Sequence, residues 1–274
     1  MNLKTCFVIL AALLPGAVAP AHAAAITGKI APHRAVYQMS LAQSRQSSQV
    51  INAEGKMTYS WGDACDGWTN EQKLVMKYYY VQGQVVESMI SNASWEAKDG
   101  SRYTFTARSG SDGHENSAFR GEATVDATGG KVTYTLPKGK LGTLQQGTVF
   151  PNQHTVEILQ AAAKAEKMPN KTVFDGSDET GQSEISIFIG KPMPLAKDAN
   201  FDTKHIAMPL VQGDAWPVRM AFYPMKADND GLPDYEMTMD MLPNGVARSM
   251  LVDYGDFSVR GVLISIEPLP ANGC

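Results

Sequence analysis

The residues best suited to chemistry in this chain are its histidines and a few serines. His154 lies in FPNQH, where a helical pattern begins, and a histidine there could act as a general base with Ser177 and Asp175 as distant partners. The stretches RSGSDG and FDGSDETG both lack the G-x-S-x-G turn that exposes a nucleophilic serine. We therefore expect no catalytic residue, and we expect His154 to hydrogen-bond to the backbone and orient the helix.

Metal and cofactor sites are equally unsupported by the motifs. A structural zinc site needs four ligands at short spacings, and neither Cys65 nor Cys274 has a histidine or a second cysteine nearby. HExxH, Walker and dinucleotide-binding motifs do not occur. The net charge of −4, spread evenly over the chain, argues against a nucleic-acid partner. We expect no metal and no cofactor.

The first 24 residues have the pattern of a cleaved secretory signal peptide. Lys4 precedes an apolar run, and Ala21 and Ala23 occupy the two small positions of an A-x-A cleavage site. Proline and glycine interrupt the run before it reaches the roughly 20 residues that span a bilayer. We expect a soluble, exported protein with no transmembrane segment in its mature form.

Cleavage would remove Cys6 and leave Cys65 and Cys274 as the two cysteines of the mature chain. Oxidising compartments favour a disulfide between them, although two free thiols are the alternative. The loop closed by such a bond would cover most of the chain. The chain-entropy model gives about 5 kcal/mol as an upper figure for a loop of that size.

Strands dominate the rest of the chain, because apolar and polar residues alternate in most segments. In GKMTYSW, Met57, Tyr59 and Trp61 share one face, and in YEMTMDM, Met237 and Met239 do the same. Glycine, asparagine and aspartate clusters separate about a dozen such runs. The pattern predicts antiparallel strands joined mostly as a meander.

One hairpin turn has a particularly clear signal. LPNG lies between the alternating runs MTMDM and VARSMLV. An Asn-Gly pair suits the two central positions of a primed turn. We therefore expect Asn244 and Gly245 to form a two-residue turn of that type.

One segment, FPNQHTVEILQAAAKAEKMP, has helical rather than alternating spacing, with Val156 and Leu159 on its apolar face. Asn152 or Thr155 could cap its start, and Pro169 lies just beyond its end. A lone amphipathic helix is best buried against the concave face of a curled sheet. With no linker-like change in composition, we expect residues 25–274 to form a single domain.

Methionine is abundant, with 14 residues, and several fall in predicted strands. Flexible thioethers suit the binding of variable apolar ligands, although plain core filling is the alternative. The residues that we expect at a cavity or against the helix are Met57, Tyr59, Trp61, His154, Leu159, Met237 and Met239.

Several motifs together resemble the EipB-like periplasmic proteins of Gram-negative envelopes. The motifs are APHRAVYQMSL, the W-x-D-x-C-D-G-W block from Trp61 to Trp68, FPNQH, FDGSD, VDYGDFSV and the terminal cysteine. The resemblance implies a mainly β fold, in which a highly curved, spiral open-barrel antiparallel sheet of a dozen or more strands surrounds one central α-helix. It also implies a Cys65–Cys274 disulfide, a location in the periplasm and a role in envelope integrity.

Three functions follow as hypotheses. In the first, a non-enzymatic protein holds an apolar ligand in a half-barrel cavity, such as the acyl chain of a lipid or lipoprotein. In the second, sheet edges or the outer face bind another envelope protein. The third and weakest hypothesis is an envelope hydrolase. The similarity of the implied fold to lipoprotein carriers favours the first hypothesis by analogy only.

The cysteines yield a first prediction. Cys65→Ser or Cys274→Ser should lower the melting temperature while leaving the β-type circular dichroism spectrum in place, because the bond restrains the unfolded chain. The measurement is thermal unfolding of the mature protein with and without a reductant. An identical melting temperature under both conditions would show that no stabilising bond exists.

Overall fold

A computed structural model describes residues 30–178, 180–194, 204–225 and 231–270. The expected signal peptide, residues 1–24, lies outside this part of the chain, and so does Cys274. The strands are β1 His33–Ser44, β2 Val50–Asp63, β3 Gly67–Tyr80, β4 Val85–Ala97, β5 Arg102–Ser111, β6 His114–Asp126, β7 Gly129–Leu136, β8 Leu141–Leu144, β9 Lys171–Phe174, β10 Gln182–Ile189, β11 Trp216–Pro224, β12 Tyr235–Met241, β13 Ala247–Asp253 and β14 Phe257–Pro268. The helices are α1 Pro151–Lys164 and the single turn α2 Met208–Val211.

All fourteen strands belong to one antiparallel sheet with the order β8-β7-β6-β5-β4-β3-β2-β1-β14-β13-β12-β11-β10-β9. Two meanders, β1–β8 and β9–β14, are joined where β1 pairs with β14. The sheet curls into a nearly closed barrel with one unsealed seam, between β8 and β9. This architecture confirms the mainly β, open-barrel fold expected from the sequence.

The seam between β8 and β9 is spanned by the side chain of Gln182, the first residue of β10, and by one isolated bridge. The side chain of Gln182 accepts a hydrogen bond from the backbone N–H of Gln145 and donates one to the carbonyl of Thr143. Beside it, Val149 forms an isolated parallel bridge with Val173. These contacts hold the two edges together where no ladder connects them.

Alternation places the expected residues on the inner face of the sheet. On β2, Met57 and Trp61 are buried, while Lys56 and Thr58 on either side of Met57 are exposed. The same alternation buries every second residue at the start of β1. The inner face can therefore be read from the sequence once one residue of each strand has been placed.

The LPNG turn differs from the primed turn that the sequence predicted. Gly245 has a φ of 86°, but Asn244 is not among the residues with positive φ, as a primed turn would require. The N–H of Gly245 donates to the carbonyl of Leu242, and the N–H of Leu242 donates to the carbonyl of Val246. Because Pro243 fixes its own φ near −65°, the chain makes a type I turn followed by a left-handed glycine.

The helix α1 packs against inward-facing side chains of the sheet. Val156, Ile158 and Leu159 lie in one apolar cluster with Trp61 of β2 and Val218 of β11. The expected helix is therefore confirmed and lies on the concave face. The described residues contain a second helix as well, the four-residue α2.

The start of α1 is capped from a distant strand. The N-cap residue Phe150 offers no side-chain hydrogen bond. Glu96 of β4 instead accepts hydrogen bonds from the N–H groups of Asn152 (2.8 Å) and Gln153 (2.7 Å). The expected cap by Asn152 or Thr155 was wrong, since both lie inside the helix and Thr155 donates back to the carbonyl of Pro151.

Glu96 is completely buried, so its loss should be costly. In Glu96→Gln, the amide NH₂ replaces one acceptor oxygen, which leaves one helix N–H unpaired. We expect the free energy of unfolding to fall by about 1–3 kcal/mol. Urea unfolding of the purified protein measures the loss.

Glu87→Gln on the same strand is the matched control, because the Glu87 side chain is half exposed and forms an ion pair with exposed Lys77. It should change stability by less than about 0.5 kcal/mol. Equal effects of the two substitutions would contradict a capping role for Glu96.

Candidate functional site

The barrel encloses a cavity of about 320 Å³ between the inner face of the sheet and the first turn of α1. Six of the seven residues proposed from the sequence line it: Met57, Tyr59, Trp61, His154, Met237 and Met239. The seventh, Leu159, does not line the cavity and packs instead in the cluster between α1 and the sheet. Sequence alternation thus places most of these residues around one space.

The wall of this cavity is mainly apolar and rich in methionine. Aromatic side chains from β1, β2, β11 and β12 also line it. The lining methionines are Met57, Met220, Met237, Met239, Met241 and Met250. Such a wall can adapt its shape to an apolar guest.

His154 is buried beside the cavity, with 4% of its surface exposed. Burial lowers the pKa of His154 to about 4, with Glu157 opposing the shift and Lys171 adding to it. Its Nε2 atom is buried and has no hydrogen-bond partner among the described residues. The expected bond from this ring to the backbone does not form within those residues, and the ring lines the cavity instead.

Asp175 lines the same cavity, but it does not form a triad with His154. Its carboxylate accepts a hydrogen bond from the backbone N–H of Ser177 (2.8 Å) in the turn after β9. The side chain is exposed to the cavity yet surrounded by protein, and this desolvation raises the pKa of Asp175. Within the described residues, no hydrogen bond links His154 to a serine or to Asp175.

A polar side compartment of about 180 Å³ opens beside the apolar cavity and was missed from the sequence. Its wall includes Asn70 and Gln72 of β3 and Asn92 and Ser94 of β4. In WTNEQKLVM, the two β3 residues lie two and four positions after buried Trp68, and so on the same face of the strand. Polar residues at inward positions of an alternating strand were the signal that could have revealed it.

The residues that the structure describes contain no group of three or more His, Cys, Asp or Glu side chains placed to hold a metal ion. In the same part of the chain, no helix has the length and apolar character needed to cross a membrane.

Comparison with known proteins identifies the family. The EipB-like family model matches residues 24–270. The chain belongs to the EipB-like family. It is 29% identical over 271 residues, covering 95% of both chains, to the "Cell envelope integrity protein EipB" of Brucella abortus (strain 2308). A crystal structure of a β-barrel-like protein of a domain of unknown function from Brucella abortus covers 89% of this chain and 100% of its own, with 27% identity and a TM-score of 0.80.

The family motif around Cys65 forms the turn between β2 and β3. Cys65 has a φ of 65°, and its N–H donates to Asp63 Oδ1 (3.0 Å). The predicted partner, Cys274, lies outside the described residues, so the disulfide stays a prediction.

The buried imidazole should make stability depend on pH. His154 stays neutral in the folded state down to about pH 4, whereas in the unfolded chain it takes up a proton below its ordinary pKa of 6.5. Its contribution to stability is therefore lost as the pH falls from 6.5 toward 4. When the pH is lowered from about 7.5 to 4.5, we expect the free energy of unfolding of the wild type to fall by about 2 kcal/mol more than that of His154→Gln.

Urea unfolding at both pH values measures this difference. Subtracting the change in free energy of one protein from that of the other removes the titration of all other groups. His114→Gln is the control, since His114 is exposed on β6 and should follow the wild type. If His154→Gln loses as much stability in acid as the wild type, the histidine is not held neutral by burial.

Proposed function

We propose that this protein acts in the periplasm to support the integrity of the cell envelope, and that it does so by binding the acyl chain of a lipid or lipoprotein without catalysis. The name of the Brucella abortus relative supports the envelope role. The export pattern of residues 1–24 supports the location. The cavity inside the barrel supports the binding.

The observation that carries the proposal is the methionine-rich wall of that cavity. A volume of about 320 Å³ lies at the lower end of the roughly 300–1,000 Å³ typical of ligand pockets. Six thioether side chains line it. An apolar chain entering it would leave water for a wall that can repack around different lengths and branches.

The arrangement of the polar residues favours binding over hydrolysis. A hydrolase of the serine type needs a base within hydrogen-bonding reach of its nucleophile. His154 Nε2 is buried without a partner among the described residues, and burial keeps the imidazole from gaining a proton near neutral pH. We therefore take the ring as part of the cavity wall and not as a catalytic base.

A second candidate function rests on the edge strand β8. This strand has four residues, and Leu141 at its start is 75% exposed. An extended segment of another envelope protein could add to such an edge through backbone hydrogen bonds. Binding of this kind would not depend on the cavity.

Filling the cavity should abolish ligand binding. Met239 contacts two of the apolar clusters around the cavity, so Met239→Trp places a larger ring in the space that the ligand needs. With delipidated protein, we expect dodecanol to displace a bound hydrophobic dye, N-phenylnaphthylamine, from the wild type and at least about tenfold less well from the variant.

Met89→Trp is the matched control, because Met89 is 41% exposed on β4 and does not line the cavity. It should bind as the wild type does. Failure of the wild type to bind either probe, or normal binding by Met239→Trp, would refute the acyl-chain proposal and leave the β8 edge as the site to test.

A further inference from the structure

The apolar cavity and the polar side compartment adjoin each other and differ in chemistry. They share lining residues: Tyr59, Gln72, Pro151, Thr155 and Asp175. Methionines surround one end, and amide and hydroxyl side chains surround the other. A ligand that fills both ends must be an amphiphile.

The polar end is built into the inner wall of the barrel. In the β3–β4 register, Gln72 lies opposite Asn92, and Asn70 lies opposite Ser94. Side chains directly opposite each other across a ladder lie on the same face, so these four form one patch. Inward positions of a barrel are ordinarily apolar, and a polar patch there is costly unless its groups find partners.

Part of this patch has no hydrogen-bond partner among the residues that the structure describes. Asn70 Nδ2 donates to the hydroxyl of Tyr59 (2.7 Å), and Gln72 Nε2 contacts the sulfur of Met57 (3.3 Å). The side chain of Asn92 makes no hydrogen bond to any residue that the structure describes. Amide donors and acceptors are therefore available to a guest in the compartment.

The charges around the site select against an anion. No lysine or arginine is among the described residues that line either compartment. Burial lowers the pKa of both lining histidines, His33 and His154, so neither supplies a positive charge near neutral pH. Asp175 is the one acidic residue among the described residues of the lining, and desolvation raises its pKa. An anionic head would lose its hydration and gain no counter-charge.

We infer that the ligand is a single-chain amphiphile with an uncharged, hydroxyl-bearing head of about glycerol size. Its acyl chain lies among the methionines, and its head lies against Asn70, Gln72 and Asn92. This inference rests on the proposed acyl-chain function and specifies the head that the same site accepts.

The test compares four amphiphiles with the same chain length: monolaurin, dodecanol, lauric acid and dodecylamine. Each competes with N-phenylnaphthylamine for the delipidated protein at neutral pH, below its micelle-forming concentration. Monolaurin should bind about tenfold more tightly than dodecanol, because its extra hydroxyls gain hydrogen bonds in the compartment. Lauric acid should bind at least about tenfold more weakly than dodecanol, because its carboxylate meets no cation.

Asn92→Leu keeps the side-chain size and removes the amide. It should reduce monolaurin binding to the level of dodecanol while dodecanol binding stays unchanged. Asn116→Leu is the matched control, since Asn116 is exposed on β6 and lines neither compartment.

The outcomes separate the two proposals. Equal binding of monolaurin and dodecanol would overturn the neutral-head inference and leave the acyl-chain site standing, with water in the polar compartment. Tightest binding of lauric acid or dodecylamine would overturn it in favour of a charged head. If none of the four binds, both the inference and the proposed function fail.

Discussion

Glu96 holds the first turn of α1 against the inside of the barrel through two backbone hydrogen bonds, and the shape of the interior depends on that contact. Pro151, His154 and Thr155 all come from the first five residues of α1 and line the cavity. Because the N-cap residue of the helix makes no side-chain hydrogen bond, moving Glu96 would release the first turn. The part of the cavity wall that this turn forms would move with it. A single carboxyl group from β4 thus connects the sheet, the helix and the site.

Burial penalises charge on the titratable groups of the interior. It raises the pKa of Glu96 to about 8, although the two helix N–H groups oppose the shift. The same desolvation lowers the pKa of His154. An environment that penalises charge on its own acid and base would penalise charge on a guest in the same way, whereas amides and hydroxyls are tolerated along its polar wall.

The sequence predicted what depends on local pattern. Alternation placed Met57 and Trp61 on the inner face, and the helical spacing located α1. The cap by Glu96 was beyond this reasoning because it joins residues 56 positions apart. The seam contact of Gln182 and the pairing of Gln72 with Asn92 likewise depend on strand order and register. The LPNG turn was mispredicted because the rigid ring of Pro243 outweighs the preference of the Asn-Gly pair.

The pairing of β1 with β14 has a consequence for how the chain is made. Within each meander the neighbouring strands are also neighbours in sequence, but His33 of β1 lies opposite Pro268 of β14. Because the N-terminus is made first, β1–β8 can assemble early. One edge of β1 then stays unpaired until residues 257–268 have been made. Bare edges recruit other chains. Until the last strand is made, β1 is thus an exposed edge, although in the finished barrel it lies far from either edge of the sheet.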